Sequence, residues 1–157
     1  MSGEPDSAGE VPAKELQAIQ FVALGLIGGL AIMTVVVVVL FLVALNGVPA
    51  LDIGDLAAML GYGSLVLVPL GLIGAFLVMP GLGKGQPDGA TFGAYQGQFF
   101  IQAGLLEGPA IMMLIFFLMT GVWALLGGVA VFLAALIFIF PTAEKYRAWA
   151  ADRTTAG

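Results

Sequence analysis

The stretch that decides the fold is Gln98-Phe99-Phe100-Ile101-Gln102-Ala103-Gly104-Leu105-Leu106-Glu107-Gly108-Pro109-Ala110-Ile111. It opens an apolar run that continues to Phe140, about twice the length that one membrane-spanning helix needs. A single carboxylate, Glu107, lies inside it. Because an ionisable group at bilayer depth is costly and usually faces a partner helix or a water-filled path, Glu107 is the first candidate for a functional residue.

The composition predicts an integral membrane protein built from helices, with the lipid bilayer as its surroundings. Of the 157 residues, 61% are hydrophobic and only 10% are charged, whereas roughly 25% are charged in soluble domains. The chain has no cysteine and no histidine, which excludes a thiol nucleophile, an imidazole base and the commonest zinc ligands. We therefore expect no bound metal, no cofactor and no enzymatic activity. The few basic residues offer no patch for nucleic acid.

Four transmembrane helices account for the apolar runs. Residues 1–13 are acidic and rich in glycine, proline and serine, which predicts a disordered tail. The predicted membrane domain covers residues 14–141, and its spans cover about residues 19–45, 62–79, 99–119 and 122–140. The last two spans are divided at Thr120-Gly121, because the alternative break at Gly127-Gly128 would leave two very unequal halves.

The first two connections also carry signals. Asn46-Gly47-Val48-Pro49 ends the first span with a C-cap glycine and a proline. Asp52 or Asp55 is predicted to cap a short interfacial helix that ends near Leu60. The second span would then be marginally short, and Pro69 predicts a kink near its middle.

The basic residues predict the orientation. Residues 142–157 are expected to form a short interfacial helix and a tail, in which Tyr146 and Trp149 anchor one face at the lipid headgroups. In a four-span topology all five basic residues fall on one side: Lys14, Lys84, Lys145, Arg147 and Arg153. Because that side is normally cytoplasmic, we predict that both termini are cytoplasmic, in the cytoplasmic (inner) membrane of a bacterium.

Small residues predict where helices approach each other closely. They form one face in the first half of the first span, and further glycines lie in the second and third spans. The predicted helix-packing positions are Gly25, Gly28, Gly29, Gly71, Gly74, Gly104 and Gly108. Such faces also predict a homo-oligomer or a subunit of a larger membrane complex.

The predicted surroundings of Glu107 are neutral. No basic residue lies at membrane depth, so we expect its carboxyl group to be protonated at neutral pH. The candidate partners are the Gln102 and Ser64 side chains and the Leu105 carbonyl. That carbonyl is free because Pro109 lacks the N–H that would bond to it. Such a set would bind a proton or a small cation; the alternative is a protonated glutamate that only holds two helices together.

Two resemblances extend this interpretation. Gly85-Gln86-Pro87-Asp88 and residues 99–111 resemble the polar loop and second helix of the proteolipid (c) subunit of rotary ATP synthases. The resemblance implies that Glu107 is the carboxylate that carries the ion, and that a cytoplasmic loop contains Lys84, Gln86, Pro87 and Asp88. Over more of the chain, Gly104-Leu105-Leu106-Glu107-Gly108 and a last span ending in Phe140-Pro141-Thr142 resemble four-span membrane proteins of unassigned function from planctomycete-type bacteria. That resemblance implies a family but no activity.

Two functions follow from these observations. The first is a small oligomeric membrane protein in which a protonatable Glu107 lies at a helix interface and binds or translocates protons, as in a c subunit. The second is a structural or accessory subunit of a larger membrane complex, in which Glu107 is purely structural. A transport site requires Glu107 to face a lipid-accessible interface or a water-filled path, whereas a structural role requires it to be buried and permanently paired.

Overall fold

The computed structural model describes residues 12–50, 55–79 and 91–154. Of these residues, 88% are helical and none lies in a strand, so the described chain is all-α, as the sequence predicts. Outside the described residues lie most of the predicted tail, Asp52, and the predicted cytoplasmic loop with Lys84, Gln86, Pro87 and Asp88.

The helices follow one another with short connections. Helix α1 covers Ala13–Val39 and continues into a π-helical turn, Leu40–Ala44. The second segment is continuous from Asp55 to Val78 and consists of α2 (Asp55–Gly63), a 3₁₀ turn (Ser64–Val66), α3 (Leu67–Ile73) and a π-helical turn (Gly74–Val78). The remaining helices are α4 (Phe92–Thr120), α5 (Ala124–Phe138) and α6 (Ala143–Thr154).

Three segments are long and apolar enough to cross a membrane: Ala13–Ala44, Asp55–Val78 and Phe92–Thr120. Helices α5 and α6 qualify only together, as one segment bent by 75° at the break between them. The described chain therefore has three or four candidate spans, which agrees with a membrane protein.

The second segment is longer than the sequence predicts. A boundary was expected near Gly61 and Tyr62, between an interfacial helix and a span, but the helix passes through this point. Gly61 is buried, and a β-carbon added there would lie 2.6 Å from Val122 Cγ2. The glycine permits close packing against the α4–α5 connection instead of ending a helix, and the 24-residue segment is not short.

Successive segments run in alternating directions. Near one end of the bundle, the Ala50 N–H donates a hydrogen bond to the Leu118 carbonyl (3.0 Å), which joins the chain after α1 to the end of α4. At the other end, the Gln20 amide donates to the Pro141 carbonyl (3.0 Å), which joins the start of α1 to the chain that follows α5. We call the first the Ala50 end and the second the Pro141 end.

Helices α4 and α5 form the central pair, and both α1 and the second segment pack against it. The pair is joined by a tight turn in which Gly121 adopts the left-handed conformation, with φ of 68°. Its N–H donates to the Phe117 carbonyl (2.8 Å) and so ends α4 directly after Thr120. Phe117 is completely buried. The centroid of its ring lies 4.8 Å from the ring centroid of Phe41 and 5.3 Å from that of Trp123.

Candidate functional site

Glu107 lies on α4 at the edge of the buried face of that helix. Its neighbours Leu106 and Ala110 are completely buried, whereas Glu107 is partly buried and Gly108 is exposed. Among the described residues, none donates a hydrogen bond to the Glu107 carboxylate or forms an ion pair with it. The carboxyl group therefore lies between the core and the outer surface of the bundle, with no partner from the described chain.

Gln102 bonds across helices. Its Nε2 donates a hydrogen bond to the Ala75 carbonyl (2.9 Å), at the π-helical turn of the second segment. The bond ties the first half of α4 to the last turn of the second segment. The Gln102 amide and the Ala75 carbonyl lie in apolar surroundings, and each gives the other a hydrogen-bond partner that lipid cannot provide.

The Leu105 carbonyl also faces the second segment. Pro109 lies inside α4 and cannot donate the helical hydrogen bond that this carbonyl would otherwise accept. A β-carbon added at Gly71 would lie only 3.1 Å from the Leu105 oxygen. The carbonyl therefore lies against the glycine backbone, where a Cα–H···O contact is available to it.

These positions split the predicted ion-binding set. Residues five apart on an α-helix are separated by about 140° around its axis, so Glu107 points well away from the side that carries Gln102. Gln102 and the Leu105 carbonyl both contact the second segment. Within the described chain the helical phase therefore places Glu107 on a different flank of α4 from Gln102, and a site shared by Glu107, Gln102 and the Leu105 carbonyl stays a prediction.

Ser64 has a hydrogen bond inside its own helix. Its hydroxyl group donates to the Gly61 carbonyl (2.8 Å). This bond uses the hydroxyl proton, so the predicted contact with Glu107 would need the Ser64 oxygen to act as an acceptor. That contact stays a prediction.

The predicted packing glycines divide into two groups. Gly71 is buried, and a β-carbon there would lie 2.7 Å from Phe132 Cε1; one at Gly74 would make an ordinary contact with the Leu105 side chain at 3.5 Å. The other predicted positions have nothing within 4 Å of an added β-carbon: Gly25, Gly28, Gly29, Gly104 and Gly108. Within the described chain, these five do not pack against another helix.

Two glycines that do pack closely were not predicted. They are Gly61, against Val122, and Gly128, where a β-carbon would lie 2.5 Å from Met113 Sδ. The sequence offered Gly128 only as part of a possible break, but α5 runs through it. Its position inside an apolar run with no proline nearby is the sequence feature that could have predicted a continuous helix at Gly128.

The predicted anchor residues pack inwards. Tyr146 is buried. The centroid of its ring lies 5.4 Å from the ring centroid of Phe92 and 5.3 Å from that of Tyr95. Trp149 Nε1 donates to the Gln98 side-chain oxygen (2.8 Å). Helix α6 is thereby fixed to the start of α4, and these contacts occupy much of the aromatic surface expected to face headgroups.

The described chain contains no group of three or more acidic, histidine or cysteine side chains that could hold a metal ion. Glu107 lies near the middle of the candidate span Phe92–Thr120 and has no hydrogen-bond partner among the described residues, so its carboxyl group can accept a hydrogen bond from another molecule. Comparison of the chain with known protein families, with characterised proteins and with solved structures found no match. The functional argument therefore rests on the geometry around Glu107.

Proposed function

We propose that the protein is a small, oligomeric, four-span protein of the bacterial cytoplasmic membrane, in which Glu107 binds a proton at an interface between neighbouring copies, as the carboxylate of a c subunit does. The observation that carries the proposal is a partly buried carboxyl group without a partner in the described chain. It lies beside a face of α4 that no other described helix covers.

That face is built from glycines. Gly93, Gly97, Gly104 and Gly108 have nothing within 4 Å of an added β-carbon. Spacings of four and seven residues place them on one side of α4, and Glu107 lies about 60° around the helix from Gly104. Glycines spaced in this way allow the backbone of another helix to approach closely. A neighbouring copy packed on this face would therefore lie next to Glu107 and shield it from lipid.

The chemistry of such an interface suits proton binding. A protonated or an ionised carboxyl group at such an interface needs hydrogen-bond partners from water or from the neighbouring copy, because lipid offers none. A carboxyl group that is partly exposed and held by no fixed hydrogen bond from the described residues can exchange a proton without first breaking a structural contact.

The topology supports four spans and cytoplasmic termini. Helix α5 has 15 residues and is about 22 Å long, and apolar residues outside the helix extend the run over residues 122–140, towards the hydrocarbon thickness of a bilayer. Helix α6 then turns by 75° along the membrane surface. At this Pro141 end lie the described basic residues Lys14, Lys145, Arg147 and Arg153, the charge distribution of a cytoplasmic side.

The alternative is a structural or accessory subunit. This alternative is favoured by the other polar side chains of the candidate spans, because they already donate hydrogen bonds within the chain. Thr34 donates to the Leu30 carbonyl, Thr120 to the Phe116 carbonyl and Gln102 to the Ala75 carbonyl. No second proton-carrying side chain is thus available near Glu107 in the described chain. In this alternative Glu107 forms a permanent bond with another subunit.

Reaction with a hydrophobic carbodiimide distinguishes the two. A proton-exchanging Glu107 should be labelled in the purified oligomer, labelling should fall as the pH rises, and Glu107→Gln should abolish it. Glu144→Gln, which removes an exposed carboxylate of α6, is the matched control and should not change the labelling. Absence of labelling at every pH, together with dissociation of the Glu107→Gln oligomer, would support the structural alternative.

A further inference from the structure

The last turn of the second segment contains a carbonyl group, that of Ala75, which accepts no bond from the N–H of Met79, the residue that would serve it in an α-helix. In an α-helix the Met79 N–H would bond to the Ala75 carbonyl, but here it bonds to the Gly74 carbonyl, five residues back. The π-helical donor for Ala75 would be residue 80, which is a proline and has no N–H. The Gln102 side chain supplies the missing donor from α4, at 2.9 Å.

We propose that the π-helical turn Gly74–Val78 is one of two windings of the second segment, and that Gln102 is the latch that holds this one. When the Gln102 amide leaves the Ala75 carbonyl, the turn can rewind as α-helix. The Met79 N–H then moves from the Gly74 carbonyl to the Ala75 carbonyl, and the Val78 N–H takes the Gly74 carbonyl.

Each winding provides one hydrogen-bond donor for the Ala75 carbonyl. In the latched winding the donor is the Gln102 amide, and in the rewound one it is the Met79 N–H. Neither winding leaves this carbonyl unsatisfied, which in apolar surroundings would be prohibitive. The rewound state instead leaves the Gln102 amide without its acceptor, so the latched winding is the resting state.

The surrounding packing decides which part of the segment moves. Gly71 is held between the Phe132 ring and the Leu105 carbonyl, so α3 cannot turn easily. Removing the extra residue of a π-helical turn rotates one side of the helix by about 100° relative to the other. The rewinding is therefore expressed in the turn itself and at Met79, on the side of the turn away from Gly71.

The Met79 amide reports the winding directly, because it changes its acceptor. In protein labelled with ¹⁵N-methionine, the Met79 signal is assigned by its loss in Met79→Leu. We expect one signal for the native protein, and in Gln102→Leu a second signal at a different chemical shift. Gln98→Leu is the matched control: it removes an amide one turn earlier on α4 that bonds to Trp149 instead. It should leave the Met79 signal unchanged.

An unchanged Met79 signal in folded Gln102→Leu would overturn the proposal, because the winding would then not depend on the latch. Should that variant fail to fold, the native protein decides by relaxation dispersion. Two windings require microsecond-to-millisecond exchange at Met79. Met113, which is completely buried in α4, should show none. A flat profile at Met79 in the native protein would show a single winding and would equally overturn the switch.

Discussion

Replacing Gly71 with alanine should destabilise the bundle, because this glycine marks the closest approach of the second segment to the central pair. An added β-carbon would lie 2.7 Å from Phe132 Cε1 and 3.1 Å from the Leu105 carbonyl oxygen. The Phe132 ring is completely buried, so it cannot move aside into free space. The oxygen belongs to the backbone of α4 and can move only with that helix.

The magnitude follows from two opposing effects. Forcing an extra carbon into a packed core costs about 1–3 kcal/mol. Alanine is preferred over glycine inside a helix by up to about 1 kcal/mol, which offsets part of that cost. Gly63→Ala separates them, since Gly63 is exposed in the same segment and has nothing within 4 Å of an added β-carbon. The two variants should therefore differ by about 1–3 kcal/mol in the free energy of unfolding.

The assay is reversible unfolding in bicelles by titration with sodium dodecyl sulfate, followed by far-ultraviolet circular dichroism. A double-mutant cycle with Phe132→Leu tests the contact itself, because leucine lacks the ring atoms that overlap. Phe132→Leu alone should be destabilising, but it should cost less in the Gly71→Ala background. Equal unfolding midpoints for Gly71→Ala and Gly63→Ala, with no coupling in the cycle, would refute the close approach.

Two further predictions concern the ends of the bundle. Gly121→Ala should destabilise the α4–α5 turn by about 1–2 kcal/mol, because alanine disfavours a φ of 68° and its β-carbon would lie 3.1 Å from Pro49 Cγ. Gly127→Ala, with open space around it, is the control, and equal stability of the two would contradict the turn geometry. Gln98→Leu should leave the Trp149 N–H without its acceptor and loosen α6, measured as faster proteolysis after Lys145 or Arg147; an unchanged cleavage rate would show that the bond does not hold α6.

The sequence was sufficient for the fold class because the signals involved are local. An apolar run long enough for a bilayer predicts a helix whichever way it faces. The prediction of close-packing glycines was less successful for a physical reason. Lipid tails and a protein core are equally apolar, so a membrane helix carries no polar stripe to show which side is buried. Gly25 and Gly71 look alike in sequence, yet only Gly71 packs against another described helix.

The site was only partly predictable because it depends on register between helices. Glu107 was found as a lone carboxylate, and Gln102 only as a polar side chain that could be its partner. Their separation around α4 follows from spacing alone, but the partner of Gln102 does not. That partner exists because of the π-helical turn before Pro80, and such a turn has no sequence signature beyond the proline.

Glu107 differs from the other polar groups at depth in what it requires from outside the chain. Thr34, Ser64 and Thr120 donate to carbonyls of their own helices, so they need no further partner. A carboxyl group on α4 cannot do without one, because lipid offers no hydrogen bonds. The described chain supplies none, and the glycines beside it leave room for another helix. A neighbouring molecule or water on this side of α4 would supply the hydrogen-bond partner that the described residues do not, which is the arrangement that the proposed function requires.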